Sequence, residues 1–267
     1  MKLLAIDTAT RQLGVALLEE ERLIASYELL VDYPHAVELP AAVNRVLEAG
    51  HAALRDLDAV VVDIGPGSFT GLRIGLAFVK ALVFPIHVAS QHVSLEHDQL
   101  KALQEATGVS KTRGISVIGV PSLDVLAAGL PFTPQPVCPM LDARQKNVYA
   151  ALYQVEGGRA SKQADYFLGP VADALKRVTD PRTVFLGDGC AVYRERILER
   201  FPQAQFAASE WWLPRAATLA RLGRERFLQG HRDDPSRLVP LYLYPHDCQV
   251  RSPERPTSVL GRSPQPA

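Results

Sequence analysis

Apolar positions along this chain first alternate or run together, then recur every third or fourth residue, then run together again. "KLLAID" (2–7) is an apolar run closed by an acid, and "LGVALLE" (13–19) and "RLIASYEL" (22–29) follow across short polar turns, so the opening predicts a three-strand meander. From His35 to Gly50 the period lengthens. Val37, Pro40, Ala41, Val43, Asn44 and Leu47 recur at helical spacing, Pro40 falls near the first turn where its missing N–H costs least, and Gly50 reads as the C-cap. "DAVVVDIG" (58–65) reads as a continuous apolar strand, as expected in the buried middle of a parallel sheet, and a helix is predicted over 70–83.

The pattern then repeats. "VCPMLDARQKNVYAALYQV" (137–155) echoes "LLAIDTATRQLGVALLEEE" (3–21): an apolar strand, an Asp, a short polar turn and an alternating strand. "TVFLGDG" (183–189) with its following helix echoes "AVVVDIGPG" (59–67) with its own. Two copies of one α/β unit imply two lobes facing each other across a cleft. The expected division is an N-terminal lobe over 1–119, a C-terminal lobe over 120–240 closed by the amphipathic "PRAATLARLGRERFLQG" (214–230), and a tail over 241–267. The tail is rich in Pro, Ser and Arg and is predicted disordered.

Composition narrows the partners. The 267 residues carry 29 basic and 29 acidic side chains, so no overall field draws nucleic acid or a membrane surface, and any RNA contact must come from a local patch or a partner. Cys138, Cys190 and Cys248 are far apart and form no C-x-x-C pair, which argues against a disulfide framework or zinc site and for a reducing, cytoplasmic setting. The first apolar run breaks at Asp7, too early for a signal-peptide core, and no stretch has the length of a membrane span.

"GPGSFTGLRIGLA" (65–77) has the look of a phosphate loop but fails the templates. No Lys-Ser/Thr follows Gly71, and Thr70 stands where a dinucleotide fingerprint needs its third glycine. Gly65 and Gly67 permit a tight strand-to-helix turn, Ser68 or Thr70 can cap the helix, and free N–H groups there would accept an anion. Gly71 and Gly75 lie one turn apart on the same side. Each costs about 1 kcal/mol relative to Ala, which close packing of another helix against that strip would offset. Phe78, Val79 and Leu82 continue near that face, and periodicity does not say whether the packing neighbour is this chain or another.

In this order, "AIDTAT", "GPGSFTGLRIGLA", "VIGVPSLDVLA", "LDARQKNVYAALY" and "LGDGCAVYRERI" resemble the TsaB family, also called YeaZ, from Met1 to about Tyr244. The resemblance implies an α/β, actin-like ATPase (ribonuclease H-like) fold of two duplicated lobes. It implies a non-catalytic dimerisation subunit that pairs with the related catalytic subunit TsaD to form threonylcarbamoyladenosine next to the tRNA anticodon, with a TsaE-like ATPase recruited to the pair. Pairing through the two N-lobe helices would use His35, Leu39, Val43, Leu47, Thr70, Gly71, Ile74, Gly75, Phe78, Val79 and Leu82. A homodimer through the same face is open.

No catalytic residue, metal or tightly bound cofactor is expected. The catalytic relative holds a metal with two His one helical turn apart, whereas here Leu39 follows His35 at that distance, and a lone His at a helix start reads as a cap or surface residue. Asp7, Thr8 and Thr10 lack the glycine that lets kinases of this fold bring backbone close to phosphate. With Gly65, Gly67, Ser68, Asp142, Gly187 and Gly189 they would form at most a vestigial nucleotide site, binding ATP weakly or only in the complex. Asp142 and Arg144 are expected to pair between the lobes. Alternatives are an ATPase or small-molecule kinase of the same fold and a metallopeptidase. Residues 84–113 interrupt the family pattern. His87, His92 and His97 recur there every five residues, which converges on neither a helix nor a strand, so a surface insertion is expected.

Overall fold

The computed structural model describes residues 1–32, 35–91, 114–130, 132–157 and 159–243, with backbone alone for 84–91. The predicted meander forms as β1 (Lys2–Asp7), β2 (Gln12–Glu19) and β3 (Arg22–Leu30). It is followed by helix α1 (His35–Ala49), β4 (Ala59–Gly65), helix α2 (Phe69–Gln91) and β5 (Ser116–Pro121). These strands make a five-stranded sheet of order β3-β2-β1-β4-β5. The pairs among β1, β2 and β3 are antiparallel, while β4 is parallel to β1 and β5 parallel to β4.

Helix α3 (Ser122–Ala128) leads into β6 (Val137–Asp142), β7 (Asn147–Ala150), the hairpin β8 (Tyr153–Glu156) and β9 (Arg159–Lys162), and β10 (Phe167–Pro170). Helix α4 (Val171–Lys176), β11 (Val184–Leu186), helix α5 (Gly189–Arg200) and β12 (Gln205–Phe206) complete the second unit. Its sheet runs β10-β7-β6-β11-β12, with the β8–β9 hairpin added on β6. Pairings are antiparallel, antiparallel, parallel and parallel in the same order as in the first sheet. The echo in the sequence is therefore a duplication in the fold.

Each sheet is covered on both faces. Alternation along β1 and β4 sends Leu4, Ile6, Val60 and Val62 to one side, where α1 and α2 supply Leu39, Val43, Val46, Leu76, Val79 and Val83. Leu3, Ala5, Ala59 and Val61 face the other side, where they meet Ala216, Leu219 and Ala220 of the closing helix α6 (Ala216–Leu228). In the second sheet α4 and α5 pack on one face and α3 on the other. The expected boundary between 119 and 120 thus does not separate the lobes. Strand β5 runs through it, and α6 follows the second sheet in the chain yet covers the first. Gly223 makes that contact close, since a Cβ there would overlap the Val61 side chain.

Three local expectations change. Helix α1 ends through His51, whose φ of 47° supplies the left-handed residue assigned to Gly50; Gly50 is instead the point where a Cβ would overlap Leu17 and approach Ile24. Helix α2 runs on past 83 to Gln91, into the predicted insertion. The tail does not begin at 241: the Leu241 N–H donates to Ile64 O at 2.7 Å and Tyr242 lies 5.5 Å from the Phe69 ring. Residues 92–113, with His92 and His97, and residues 244–267, with Cys248, lie outside the described residues, as does the side chain of His87. No described helix is long and apolar enough to cross a membrane.

Candidate partner surface and the acids behind it

The glycine stretch turns inward. Ser68 N–H donates to Ala9 O at 2.7 Å, and Ser68 Oγ accepts from Gly71 N at 3.2 Å, so Ser68 rather than Thr70 caps α2. A Cβ on Gly67 would overlap Ala9 O, one on Gly71 would overlap Thr8 O, and one on Gly75 would overlap Thr8 Oγ1. Thr8 Oγ1 in turn donates to Gly71 O at 2.8 Å. The side-chain-free strip therefore receives the β1–β2 turn of its own chain, which corrects the expectation that Gly71 and Gly75 face a partner. Periodicity located the strip but could not name its neighbour.

The same correction applies to His35, Leu39, Val43, Leu47 and Val79, all buried in the first lobe. His35 is neither a surface residue nor a helix cap: its Nε2 donates to Thr10 O at 2.7 Å and ties the start of α1 to the β1–β2 turn, while Nδ1 is buried without a hydrogen-bond partner. What remains open is the outer side of the two helices. On α2, Ile74, Phe78 and Leu82 recur at four-residue spacing, pack partly on the core and are half-exposed, while Thr70, Arg73, Ala77 and Ala81 are exposed beside them. On α1, Val37 is 69% exposed and Ala41 half-buried. Arg73 lies over the exposed Phe69 ring at 3.7 Å and donates through Nε to Tyr242 Oη at 3.1 Å, which stiffens the first turn of α2. Apolar side chains thus remain partly or fully exposed on the outer sides of both helices.

The nine residues of the expected nucleotide site fall on four turns, two per lobe: β1–β2 and β4–α2 in the first, β6–β7 and β11–α5 in the second. Asp7, Thr8 and Thr10 are buried by the chain's own packing. Gly65 and Gly187 take matching left-handed conformations, with φ of 98° and 104°. Gly187 and Gly189 approach Met140 O as Gly67 approaches Ala9 O. Asp142 and Arg144 do not bridge the lobes. They share one turn, where Arg144 N–H donates to Asp142 Oδ1 at 3.0 Å and the ion pair at 3.9 Å is solvent-facing. Asp142 N–H also donates to Asp188 Oδ1 at 3.0 Å, where burial raises the Asp188 carboxyl above its usual range.

Asp63 was not singled out from the sequence. It is fully buried beside Asp7, accepts from Ser122 Oγ at 2.6 Å and Gly65 N at 2.7 Å, and leaves Oδ2 unpartnered. The sequence offers only a partial signal: "LLAID" and "VVVDIG" each carry an acid after an apolar run, and the register that sets the two acids side by side is not in it. A further polar centre joins the lobes. Asp124 Oδ1 accepts from Tyr153 Oη at 2.6 Å and Tyr166 Oη at 2.7 Å, and its Oδ2 meets Arg226 Nη2 at 3.2 Å. Arg226 Nη1 reaches Gly119 O, so β5, α3, α6 and the second sheet share one network.

Two like-ordered sheets and their reciprocally crossing helices define a two-lobed protein of the actin-like ATPase class. The family model described as "TsaD: tRNA N6-adenosine threonylcarbamoyltransferase" matches residues 30–95 and 100–247. The "tRNA threonylcarbamoyladenosine biosynthesis protein TsaB" of Bacillus subtilis is 30% identical over 247 residues, 91% of this chain and 94% of that protein. The protein of the same name from Haemophilus influenzae is 24% identical over 91% of this chain and 93% of its own length. The solved structure of YeaZ from Pseudomonas aeruginosa superimposes with a TM-score of 0.69 at 29% identity, covering 91% of this chain and 99% of that one. The chain belongs to the TsaB (YeaZ) family, whose named members serve tRNA threonylcarbamoyladenosine biosynthesis.

Proposed function

We propose that this chain is a non-catalytic subunit of the cytoplasmic machinery that forms threonylcarbamoyladenosine in tRNA, and that it pairs with and stabilises a TsaD-like catalytic subunit through the outer sides of α1 and α2. The observation that carries the reading is the half-buried row Ile74, Phe78 and Leu82, flanked by the exposed Ala77 and Ala81 on α2, with Val37 exposed on α1. Its small flanking residues, Ala77 and Ala81, suit close packing of a second pair of helices. The absence of catalysis is inferred from the interior use of the residues that would hold nucleotide. Asp7 Oδ1 is taken by Ala9 N–H and the Thr8 hydroxyl by Gly71 O, and no glycine follows Asp7. ATP would bind weakly or only in the complex, where a TsaE-like ATPase joins and the tRNA is met.

The test is copurification of the full chain with the TsaD of the same organism, together with measurement of threonylcarbamoyladenosine in tRNA from a strain lacking this gene. A stable complex and loss of the modified nucleoside are expected. No complex together with unchanged nucleoside would end the reading, and turnover of ATP by the isolated chain would end its non-catalytic part.

A further inference from the structure

Asp7 and Asp63 stand side by side at the ends of parallel strands. Ile6 pairs with Val62 on the face toward α1 and α2, so the next residue of each strand turns to the opposite face, toward α3 and α6. Both side chains are fully buried. Each gives Oδ1 to a main-chain N–H two residues on: Asp7 to Ala9 at 2.8 Å and Asp63 to Gly65 at 2.7 Å. Asp63 Oδ1 also takes the Ser122 hydroxyl. The Oδ2 of each is buried and has no hydrogen-bond partner.

Among the described residues no cation compensates the pair. Glu28 of β3 and Asp124 of α3 add negative charge, and Ser122, Thr8 and Thr10 are neutral. Arg215, ahead of α6, is turned to Glu28 Oε2 at 3.7 Å and to Glu210 O at 2.7 Å, and Arg226 is engaged by Asp124 and Gly119. Among the described residues no Lys, Arg or His pairs with Asp7 or Asp63. Two adjacent buried carboxylates without a counter-charge cannot both stay ionised, and each leaves one buried oxygen without a donor.

We propose that Asp7 and Asp63 together bind one proton at neutral pH, held between their Oδ2 atoms, one carboxyl donating O–H to the other. The electrostatics agree. Burial, and then the Asp63 charge, push the Asp7 carboxyl well above its usual range, and burial pushes Asp63 up to about 7 against the hydrogen bonds from Ser122 and Gly65. The proton belongs to the closed molecule, because the site exists only while α3 and α6 cover this face of the sheet. It does not depend on which partner the chain binds.

A carboxyl raised on folding contributes stability that is complete at low pH and is lost as pH rises through its folded value. The wild-type full chain should therefore lose several degrees of Tm between about pH 5.5 and 8.5. Asp7→Asn keeps the acceptor for Ala9 N–H and supplies an amide donor to Asp63 Oδ2. Its Tm should fall much less over the same range, the remainder coming from groups such as the raised Asp188 carboxyl, and should equal or exceed that of wild type at the alkaline end. Infrared difference spectra of wild type with 13C-labelled aspartate carboxyls should show one protonated aspartate at pH 7, absent from Asp7→Asn. A wild-type Tm that is flat with pH, or that falls on adding EDTA and rises with Mg²⁺, overturns the proposal, since a cation would then occupy the site. If Asp7→Asn does not fold, the wild-type infrared spectrum alone decides, and absence of a protonated aspartate refutes it.

Discussion

Gly75 lies directly under the hydroxyl of Thr8, leaving no room for a Cβ, while that hydroxyl donates to the carbonyl of Gly71 at 2.8 Å. The two helix glycines are thus unequal. At Gly75 the obstacle is a side chain, and at Gly71 it is the Thr8 carbonyl oxygen. Gly75→Ala should destabilise the chain by about 1–3 kcal/mol through overpacking, and the penalty should shrink in a Thr8→Ala background. Gly71→Ala should be the more damaging change and should gain nothing from Thr8→Ala. Urea unfolding of the three single and two double variants checks both statements, and equal Gly75→Ala penalties in the two backgrounds would show that Thr8 is not the obstacle.

A glycine at i and i+4 signals close approach whichever surface approaches, and nothing in a one-dimensional period identifies the β1–β2 turn as the approaching surface. The lobes themselves were legible because strand, acid, turn and strand recur in order, and both sheets then pair in the same order. The reciprocal packing of α3 and α6 was not legible: amphipathicity records that α6 buries a face but not which sheet receives it. Of the site, Asp7 stood out by its place at the end of β1, while Asp63 passed as the closing residue of a buried strand. Its importance appears only when the register sets it beside Asp7.

The contact between Gly223 and Val61 tests the assignment of α6 to the first sheet. A Cβ on Gly223 would overlap Val61 Cγ1 and Cγ2 and come within 2.9 Å of its Cβ. Gly223→Ala should cost about 1–3 kcal/mol. Val61→Ala alone should cost a comparable amount by leaving a cavity, yet the double variant should be more stable than the sum of the two losses predicts. Strict additivity in thermal or urea unfolding would place α6 elsewhere.

Asp124 binds the lobes through three donors, and its variants should rank accordingly. Asp124→Ala strands the Tyr153 hydroxyl, which is almost wholly buried, and frees Arg226, at a cost of about 1–3 kcal/mol for each buried group left unpaired. Asp124→Asn retains an acceptor for the two tyrosines but sets an amide against Arg226, and should cost less. Tyr153→Phe should be the mildest, since Tyr166 still satisfies the same oxygen. Burial raises both phenols far above their usual range, so neither ionises across ordinary buffers and the ranking should hold at any pH from 6 to 9. Differential scanning calorimetry gives the order directly.

Substitutions on the outer side of α2 test the proposed pairing apart from folding. Ala77 and Ala81 are exposed and Phe78 is half-exposed, so a charge at these positions meets water in the isolated chain. Ala77→Asp should shift Tm by no more than a degree or two, since exposed substitutions stay within about 0.5 kcal/mol. In a packed helical interface the same carboxylate would be desolvated without a partner, which costs several kcal/mol and amounts to a loss of at least about a hundredfold in affinity. Phe78→Asp should add to that loss, with some cost to stability because part of the ring rests on the first-lobe core. Gly75→Leu, by contrast, should lower Tm before it touches pairing, because its neighbour is Thr8. Copurification with the TsaD-like subunit, read beside Tm for each variant, distinguishes the two faces of one helix. Retention of pairing by Ala77→Asp would move the partner surface off α2.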